Sequence, residues 1–114
     1  MQRVDIAQTL ARRFGAAVVL KGCGSIVALA DGRWFINCNG NPGLASAGSG
    51  DVLTGMAAAL LAQGLSAEAA LLAAVYLHGA AADACVAAGD GPKGLCAGEL
   101  IPVARRLLNE SLHA

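Results

Sequence analysis

A short glycine-rich loop followed at once by a carboxylate is the part of this sequence best suited to chemistry. The loop reads Gly48-Ser49-Gly50-Asp51, and an apolar run of helical composition, Val52–Ala62, follows it. Glycines let a ligand approach the backbone closely, and the first turn of a helix presents unpaired N–H groups with a partial positive charge. The loop is therefore predicted to bind an anion, most often phosphate.

Asp51 gives this loop a second function, because a carboxylate repels phosphate and adds nothing to a purely phosphate-binding loop. Its presence makes sense if a hydroxyl group or a magnesium ion has to meet the phosphate at this point. Four such residues are a weak signal by themselves, since many such loops are ordinary turns in which the helix dipole favours an aspartate. The interpretation depends on the surrounding sequence.

The turn Lys21–Ser25 is a second candidate ligand-binding segment. It follows Ala16–Leu20, a short apolar run between glycines that predicts a buried strand, parallel to neighbours outside this chain. Ligands of α/β proteins gather beyond the carboxyl ends of strands, where this turn lies. An ordinary glycine turn with a solvent-facing lysine is an equally good interpretation of these residues alone.

Asn41–Gly55, which reads NPGLASAGSGDVLTG, carries a resemblance to a known family. The string resembles the nucleotide-binding signature of the ribokinase-like superfamily and, within it, of the ADP-dependent NAD(P)H-hydrate dehydratases. Val18–Gly22, Tyr76–Asp83 and Gly91–Pro102 agree with the same family in the same order. The resemblance therefore covers most of the chain.

The resemblance implies an α/β fold of the ribokinase-like kind, represented by its C-terminal half. Short strands and a β-hairpin would pack with about four helices. Residues 1–114 would then be a single partial domain, because the family's domains are longer. A fragment, a truncated chain and a domain completed by association are the alternatives that stay open.

The resemblance also implies roles for the two candidate segments. ADP or ATP, with magnesium, would contact the lysine turn and the phosphate loop, and Asp51 would act as catalytic base on the hydroxyl of hydrated NAD(P)H. The family turn normally reads Lys-Gly-x-x-Thr, and Ser25 keeps the hydroxyl of that threonine. The nucleotide-binding residues implied are Lys21, Gly22, Cys23, Gly24, Ser25, Gly48, Ser49 and Gly50.

Three functions stay open on the sequence alone. The first is the ADP-dependent dehydration of hydrated NADH or NADPH, and the second is a small-molecule kinase of the same superfamily acting on a vitamin precursor or a sugar. The third is an inactive fragment or assembly module, because a fold does not guarantee an activity.

Composition narrows the classes of partner. Hydrophobic residues make up 56% of the chain, charged residues 14%, and the formal net charge is zero. This balance excludes a disordered chain and offers no basic field for nucleic acid or an anionic membrane. The N-terminus has no continuous apolar stretch typical of a signal peptide. We expect a cytoplasmic homo-oligomer that binds small-molecule nucleotides and has no membrane partner.

The cysteines and histidines do not form a metal-binding pattern. No two of the four cysteines have a C-x₂-C spacing, and the two histidines, His78 and His113, are far apart. We therefore expect no protein-bound metal and predict free thiols. His78 lies in a long apolar segment and is expected to be a hydrogen-bonded core residue rather than a catalytic one.

Local signals predict the remaining elements. An amphipathic helix is expected over Asp5–Phe14, with Ile6, Leu10 and Phe14 as its buried stripe. Asp31-Gly32 predicts a two-residue hairpin turn, beyond which Trp34 would pack within the hairpin rather than stack on a base.

Three further helices are predicted after the phosphate loop. The first ends at Gln63 before Gly64, and the second runs from Ala67 to Ala88 after the N-cap Ser66. The last helix begins near Cys96 and runs to Leu112. Its apolar face is expected to comprise Leu100, Ile101, Ala104, Leu107 and Leu108.

Overall fold

Helices and a small sheet alternate along the part of the chain that the computed structural model describes, residues 2–22 and 24–112. The predicted α/β class, with short strands, a β-hairpin and four helices, is confirmed. Two 3-10 turns, Pro42–Ala45 and Ala97–Glu99, precede the second and fourth helices. The elements in chain order are α1 (Arg3–Phe14), β1 (Val18–Leu20), β2 (Ile26–Ala28), β3 (Trp34–Ile36), α2 (Ser49–Ala62), α3 (Ala67–Ala87) and α4 (Leu100–Leu112).

The sheet has the order β1-β2-β3, and both pairs are antiparallel. Val19 pairs with Val27, which in turn pairs with Phe35. The strand predicted over Ala16–Leu20 is shorter than expected and half-buried, and its neighbour within the described residues runs antiparallel. The reason is the short turn after β1, since a parallel neighbour requires a crossover of a dozen or more residues.

The β2–β3 hairpin has a three-residue loop, one residue longer than predicted. The Leu29 N–H donates to the carbonyl of Arg33 at 2.9 Å, and the Gly32 N–H donates to the carbonyl of Leu29 at 3.1 Å. Gly32 takes a φ of 97°, which a residue with a side chain rarely adopts. The Asp31-Gly32 signal therefore located the turn correctly and misjudged its length.

The exposed strand β3 contradicts the expectation for Trp34. The side chains of Trp34 and Ile36 are 45% and 48% exposed. Both lie on the outer strand of the sheet, so Trp34 is not a packed hairpin residue within the described structure.

Helix α1 covers one face of the sheet through alanines. Ala7 and Ala11 are fully buried and form a cluster with Ile26 and Ala28 of β2. Small side chains allow the helix backbone to approach the strands closely, and the two alanines follow helical i, i+4 spacing.

The stripe predicted for α1 is wrong. Ile6 and Leu10 are only half-buried, and Phe14 is 69% exposed. The helix packs on β2 through its smallest residues, and its larger side chains therefore lie outside that contact.

Helices α2 and α3 cover the other face of the sheet. Val27 and Leu29 form a cluster there with apolar side chains from both helices, among them Leu53, Leu60 and Val75. α3 is long and apolar enough to cross a membrane by length and composition alone, but half of its most apolar window is buried against other elements. It lies in the centre of the fold, as a core helix does.

The predicted C-terminal ends of α2 and α3 lie within one residue of the observed ends, whereas α1 begins at Arg3 instead of Asp5 and α4 begins at Leu100 instead of near Cys96. Gly64, with a φ of 98°, follows α2, and the Ser66 hydroxyl accepts a hydrogen bond from the Ala69 N–H at 3.1 Å to cap α3. α4 packs on α3 through the buried Leu100 and Ala104. Ile101, expected on the same apolar face, is 57% exposed.

Candidate functional site

The N-terminus of α2 presents two open backbone N–H groups. Gly48 precedes the helix with a φ of 85°, a left-handed conformation that favours glycine. Within the described parts of the chain, the amides of Gly50 and Asp51 donate to no protein acceptor. The unpaired amides and the helix dipole together give this point the electrostatics of an anion-binding site.

The amide of Ser49 is not part of this open group. Its N–H donates to the carbonyl oxygen of Ser46 at 3.3 Å. This hydrogen bond belongs to the turn that leads from Ser46 into α2, so the hydrogen is not available to a ligand here, and Ser49 as a nucleotide contact stays a prediction. Ser49 is 3% exposed, and its hydroxyl oxygen lies 3.1 Å from Nε2 of His78.

Lys21 brings a positive charge to the open amides. A Cβ atom added to Gly50 would overlap the ammonium nitrogen of Lys21. The end of β1 and the start of α2 therefore meet at these two residues, 29 positions apart in the sequence. The two segments that the sequence singled out are brought together by this contact.

Hydrogen bonds within the lysine turn stabilise its conformation. The Ser25 hydroxyl accepts a hydrogen bond from the Gly22 N–H at 3.3 Å and lies 3.2 Å from the Gly22 carbonyl, to which it can donate. Ser25 therefore closes the turn and does not reach the phosphate loop. Cys23, a predicted nucleotide contact, lies outside the described residues.

Arg3 supports the same turn from α1, a contact that the sequence did not reveal. Its guanidinium donates to the carbonyl of Gly24 at 3.2 Å and to that of Leu20 at 3.3 Å. A Cβ on Gly22 would meet Arg3, and one on Gly24 would meet Ile36. Both are placed to shape the turn around Lys21.

His78 of α3 connects the core to the phosphate loop. Its Nε2 atom lies 2.9 Å from the carbonyl oxygen of Ser49, and the side chain is 7% exposed. Burial lowers the pKa of His78 below its usual value; the Ser49 carbonyl raises it and the charge of Lys21 lowers it further. The predicted hydrogen-bonded core histidine is confirmed, and its partner belongs to the predicted anion site.

Asp83, also on α3, holds the segment that leads into the loop. Its carboxylate accepts hydrogen bonds from the Gly40 N–H and the Asn41 side-chain amide, each at 2.9 Å. The Asn41 side-chain oxygen in turn accepts from the Gly43 N–H at 2.9 Å. A polar side chain within an apolar helix was the available signal, but sequence alone did not reveal the partner of Asp83.

Gly79 allows the same segment to approach α3 closely. A Cβ atom at Gly79 would lie 3.1 Å from the backbone carbon of Asn39 and would overlap its side-chain oxygen. The Asn39 side-chain amide donates to the carbonyl of Tyr76 at 3.0 Å. The Tyr76–Asp83 motif thus anchors the chain that enters the α2 loop.

Asp51 is exposed and lines a groove of about 460 Å³ between α2 and α4. The side chain is therefore not enclosed by protein, and a small molecule can reach it. Apart from Asp51, the lining is largely apolar and includes Met56, Leu77, Ile101 and Leu108. Asp51 is the residue at which the groove meets the open amides of the helix N-terminus.

The sequence of this site is that of a known family. A family model described as NAD(P)H-hydrate dehydratase, of the carbohydrate-kinase type, matches residues 1–98. This chain belongs to the NAD(P)H-hydrate dehydratase family. The match includes the lysine turn, the α2 loop and the α3 residues that anchor it.

Individual members of the NAD(P)H-hydrate dehydratase family agree over nearly the whole chain. A bifunctional NAD(P)H-hydrate repair enzyme of Moorella thermoacetica is 44% identical over 97% of this chain and 21% of the relative. An ADP-dependent (S)-NAD(P)H-hydrate dehydratase of Neisseria meningitidis is 51% identical over 84% of this chain and 32% of the relative.

A solved structure of the family has the same fold. The ADP/ATP-dependent NAD(P)H-hydrate dehydratase of Bacillus subtilis, co-crystallised with ATP and Mg²⁺, superposes with a TM-score of 0.89 at 35% identity. The match covers 96% of this chain and 39% of that one. The chain thus spans between about a fifth and two fifths of the length of the relatives cited here.

Ser46 adds one further polar group beside the family's loop. Its hydroxyl oxygen is buried and has no hydrogen-bond partner in the described structure. An unpaired buried hydroxyl is costly unless a ligand or water satisfies it. The donors open to an anion are Lys21 and the amides of Gly50 and Asp51.

Proposed function

We propose that this chain carries out the ADP-dependent dehydration of hydrated NADH or NADPH, restoring NAD(P)H. The observation that carries the proposal is the position of Asp51. This accessible carboxylate belongs to one of the two residues with open helix amides, and the ammonium group of Lys21 lies against the other, Gly50. Membership of the NAD(P)H-hydrate dehydratase family supports the choice of substrate.

In this proposal the nucleotide binds across the lysine turn and the loop at the N-terminus of α2. The terminal phosphate of ADP, or of ATP, lies against the amides of Gly50 and Asp51 with Lys21 neutralising its charge. Gly48 and Ser49 shape the loop below it. The turn residues Gly22, Gly24 and Ser25 line the path toward the adenosine, and Cys23, outside the described residues, stays a predicted contact of the nucleotide.

Asp51 then acts on the other reactant. Its carboxylate accepts the proton of the hydroxyl on the hydrated nicotinamide ring as the hydroxyl oxygen attacks the terminal phosphorus of ADP and releases AMP. The carbon–oxygen bond then breaks with phosphate as the leaving group, while the adjacent ring carbon loses a proton to solvent water and the double bond re-forms. Phosphate departs far more readily than hydroxide, which is why a nucleotide is consumed.

Magnesium fits this site only with help from the nucleotide. Among the described residues there is no group of three or more His, Cys, Asp or Glu side chains that could hold a metal ion. Mg²⁺ commonly binds through one or two carboxylates and the substrate's phosphates. Asp51 would therefore be the chain's contribution to holding the ion, and the ion would supply neutralisation of the phosphate charge.

We also propose that residues 1–114 form a partial domain that is completed by further polypeptide or by a second copy. The unpaired outer edge of β1, within the described sheet, and the exposed apolar side chains of β3 support this arrangement. The small fraction of each relative that the chain matches supports it as well. Its place of action is proposed to be the cytoplasm, where the nucleotides that it acts on are made and used.

The test is the return of NADH absorbance when the protein is mixed with hydrated NADH. Return that requires ADP or ATP and produces AMP or ADP in equal amount supports the proposal. Omission of the nucleotide is the control. Transfer of phosphate to a sugar or vitamin precursor without return of NADH would instead assign the chain to the small-molecule kinases.

A further inference from the structure

The contact between His78 and Ser49 holds one peptide unit at the N-terminus of α2. The Ser49 carbonyl and the Gly50 N–H belong to the same planar, trans peptide unit, so they point in opposite directions. His78 Nε2 lies 2.9 Å from the carbonyl oxygen on the buried side. The Gly50 N–H must then face the other way, out of the N-terminus of α2.

The acceptor determines where the ring proton resides. A carbonyl oxygen only accepts, so Nε2 of His78 carries the hydrogen and donates it. The Ser49 hydroxyl oxygen, 3.1 Å from the same Nε2, shares that hydrogen as a second acceptor. The hydroxyl's own hydrogen is therefore left to donate elsewhere.

Burial makes this arrangement rigid. His78 is 7% and Ser49 3% exposed, so water does not compete for the shared hydrogen bond. Removal of the donor would leave the buried Ser49 carbonyl with only its partner within α2, which begins at Ser49, and would loosen the first turn of that helix. The Gly50 amide belongs to the peptide unit that this loosening affects.

We propose that His78 is a positioning residue that aims the Gly50 amide at the terminal phosphate of the bound nucleotide. The inference rests on the proposed function of the loop. His78 does not touch the reacting atoms, so its effect is on nucleotide affinity rather than on the chemical step.

Three proteins test the inference: wild type, His78→Gln and His78→Met. Glutamine places an N–H donor at a distance from the backbone similar to that of Nε2, whereas methionine fills comparable volume without a donor. ADP affinity is measured by calorimetric titration, and kcat and KM for ADP by return of NADH. Thermal melting verifies that each variant is folded.

The expected result is a split between binding and turnover. His78→Met weakens ADP binding and raises KM for ADP about tenfold, as loss of one orienting hydrogen bond allows, and kcat stays within about threefold. His78→Gln stays within about threefold of wild type in both. If His78 had a merely structural role, both substitutions would lower stability, and the N–H donor of glutamine would not restore ADP binding.

A folded His78→Met protein with wild-type ADP affinity overturns the inference, as does a glutamine variant no better than methionine. Should the methionine variant fail to fold, nitrogen-15 NMR of the wild type decides. A neutral ring protonated at Nε2 is expected, and one protonated at Nδ1 contradicts the inference. His78-dependent ADP binding without return of NADH would instead contradict only the proposed function, and absence of ADP binding in the wild type would contradict both.

Discussion

The ammonium group of Lys21 lies directly over Gly50, at the point where a side chain on that glycine would begin. Gly50→Ala therefore places a methyl group where the charge and the nucleotide phosphate must approach. We expect ADP affinity to fall about ten- to a hundredfold, the range for a charge-assisted contact. Calorimetric titration measures it, and stability should change little because the end of the lysine side chain can move.

Gly55→Ala is the matched control on the same helix. A Cβ at Gly55 meets nothing within 4 Å, so the substitution is expected to add helix propensity and leave ADP binding unchanged. Stability should rise by up to about 1 kcal/mol in urea unfolding. Equal losses of ADP affinity in the two alanine variants would show that the Lys21–Gly50 contact is not special.

Asp83 is predicted to matter for stability through the backbone that it holds. Asp83→Ala leaves the Gly40 N–H and the Asn41 side chain without their carboxylate partner, and we expect a loss of about 1–3 kcal/mol in the free energy of unfolding. Urea unfolding measures it. Asp90→Ala, in an exposed loop, is the control, and a loss of similar size there would contradict the role of Asp83.

Stability is predicted to fall in mild acid because of His78. Its pKa is lowered in the folded protein, chiefly by burial, so the unfolded chain binds the proton first as pH falls below about 6.5. Between that pH and the lower folded pKa, the free energy of unfolding decreases by up to about 1.4 kcal/mol per pH unit. Lys21 adds to the effect because its charge disfavours a second cation nearby.

The comparison protein for this pH effect is His78→Gln, which keeps a donor but does not titrate. Urea unfolding of both proteins from neutral to mildly acidic pH should show a shallower slope in the variant. Parallel slopes would mean that burial of His78 does not govern the acid sensitivity.

Local signals predicted the outline of the fold. Gly64 and Ser66 located the junction of α2 and α3, and Asp31-Gly32 located the hairpin turn. These residues act through their own backbone conformation or nearest neighbours, so the sequence contains the needed information. The buried face of α1 could not be predicted from such local signals. It depends on the close packing of the helix on β2, which only a small side chain such as that of Ala7 allows.

The candidate site was predictable in its components and not in its contacts. The glycine loop, Asp51 and Lys21 were recognised from their types and surroundings, and the structure brings Lys21 to the loop. The bonds of Ser49 to Ser46 and His78 depend on local turn geometry and on a helix 29 positions away. The polar partners of α3 were missed for the same reason.

Replacement of Asp51 tests the account most directly. In Asp51→Asn the carboxylate that accepts the hydroxyl proton is lost while the open amides remain, so the rate of ADP-dependent NADH return should fall about 10²- to 10⁴-fold. ADP affinity should stay within about threefold of wild type, and Asp90→Asn should behave as wild type in both measurements. A near-normal rate in Asp51→Asn would contradict the central claim that this carboxylate, beside the helix amides, carries the reaction.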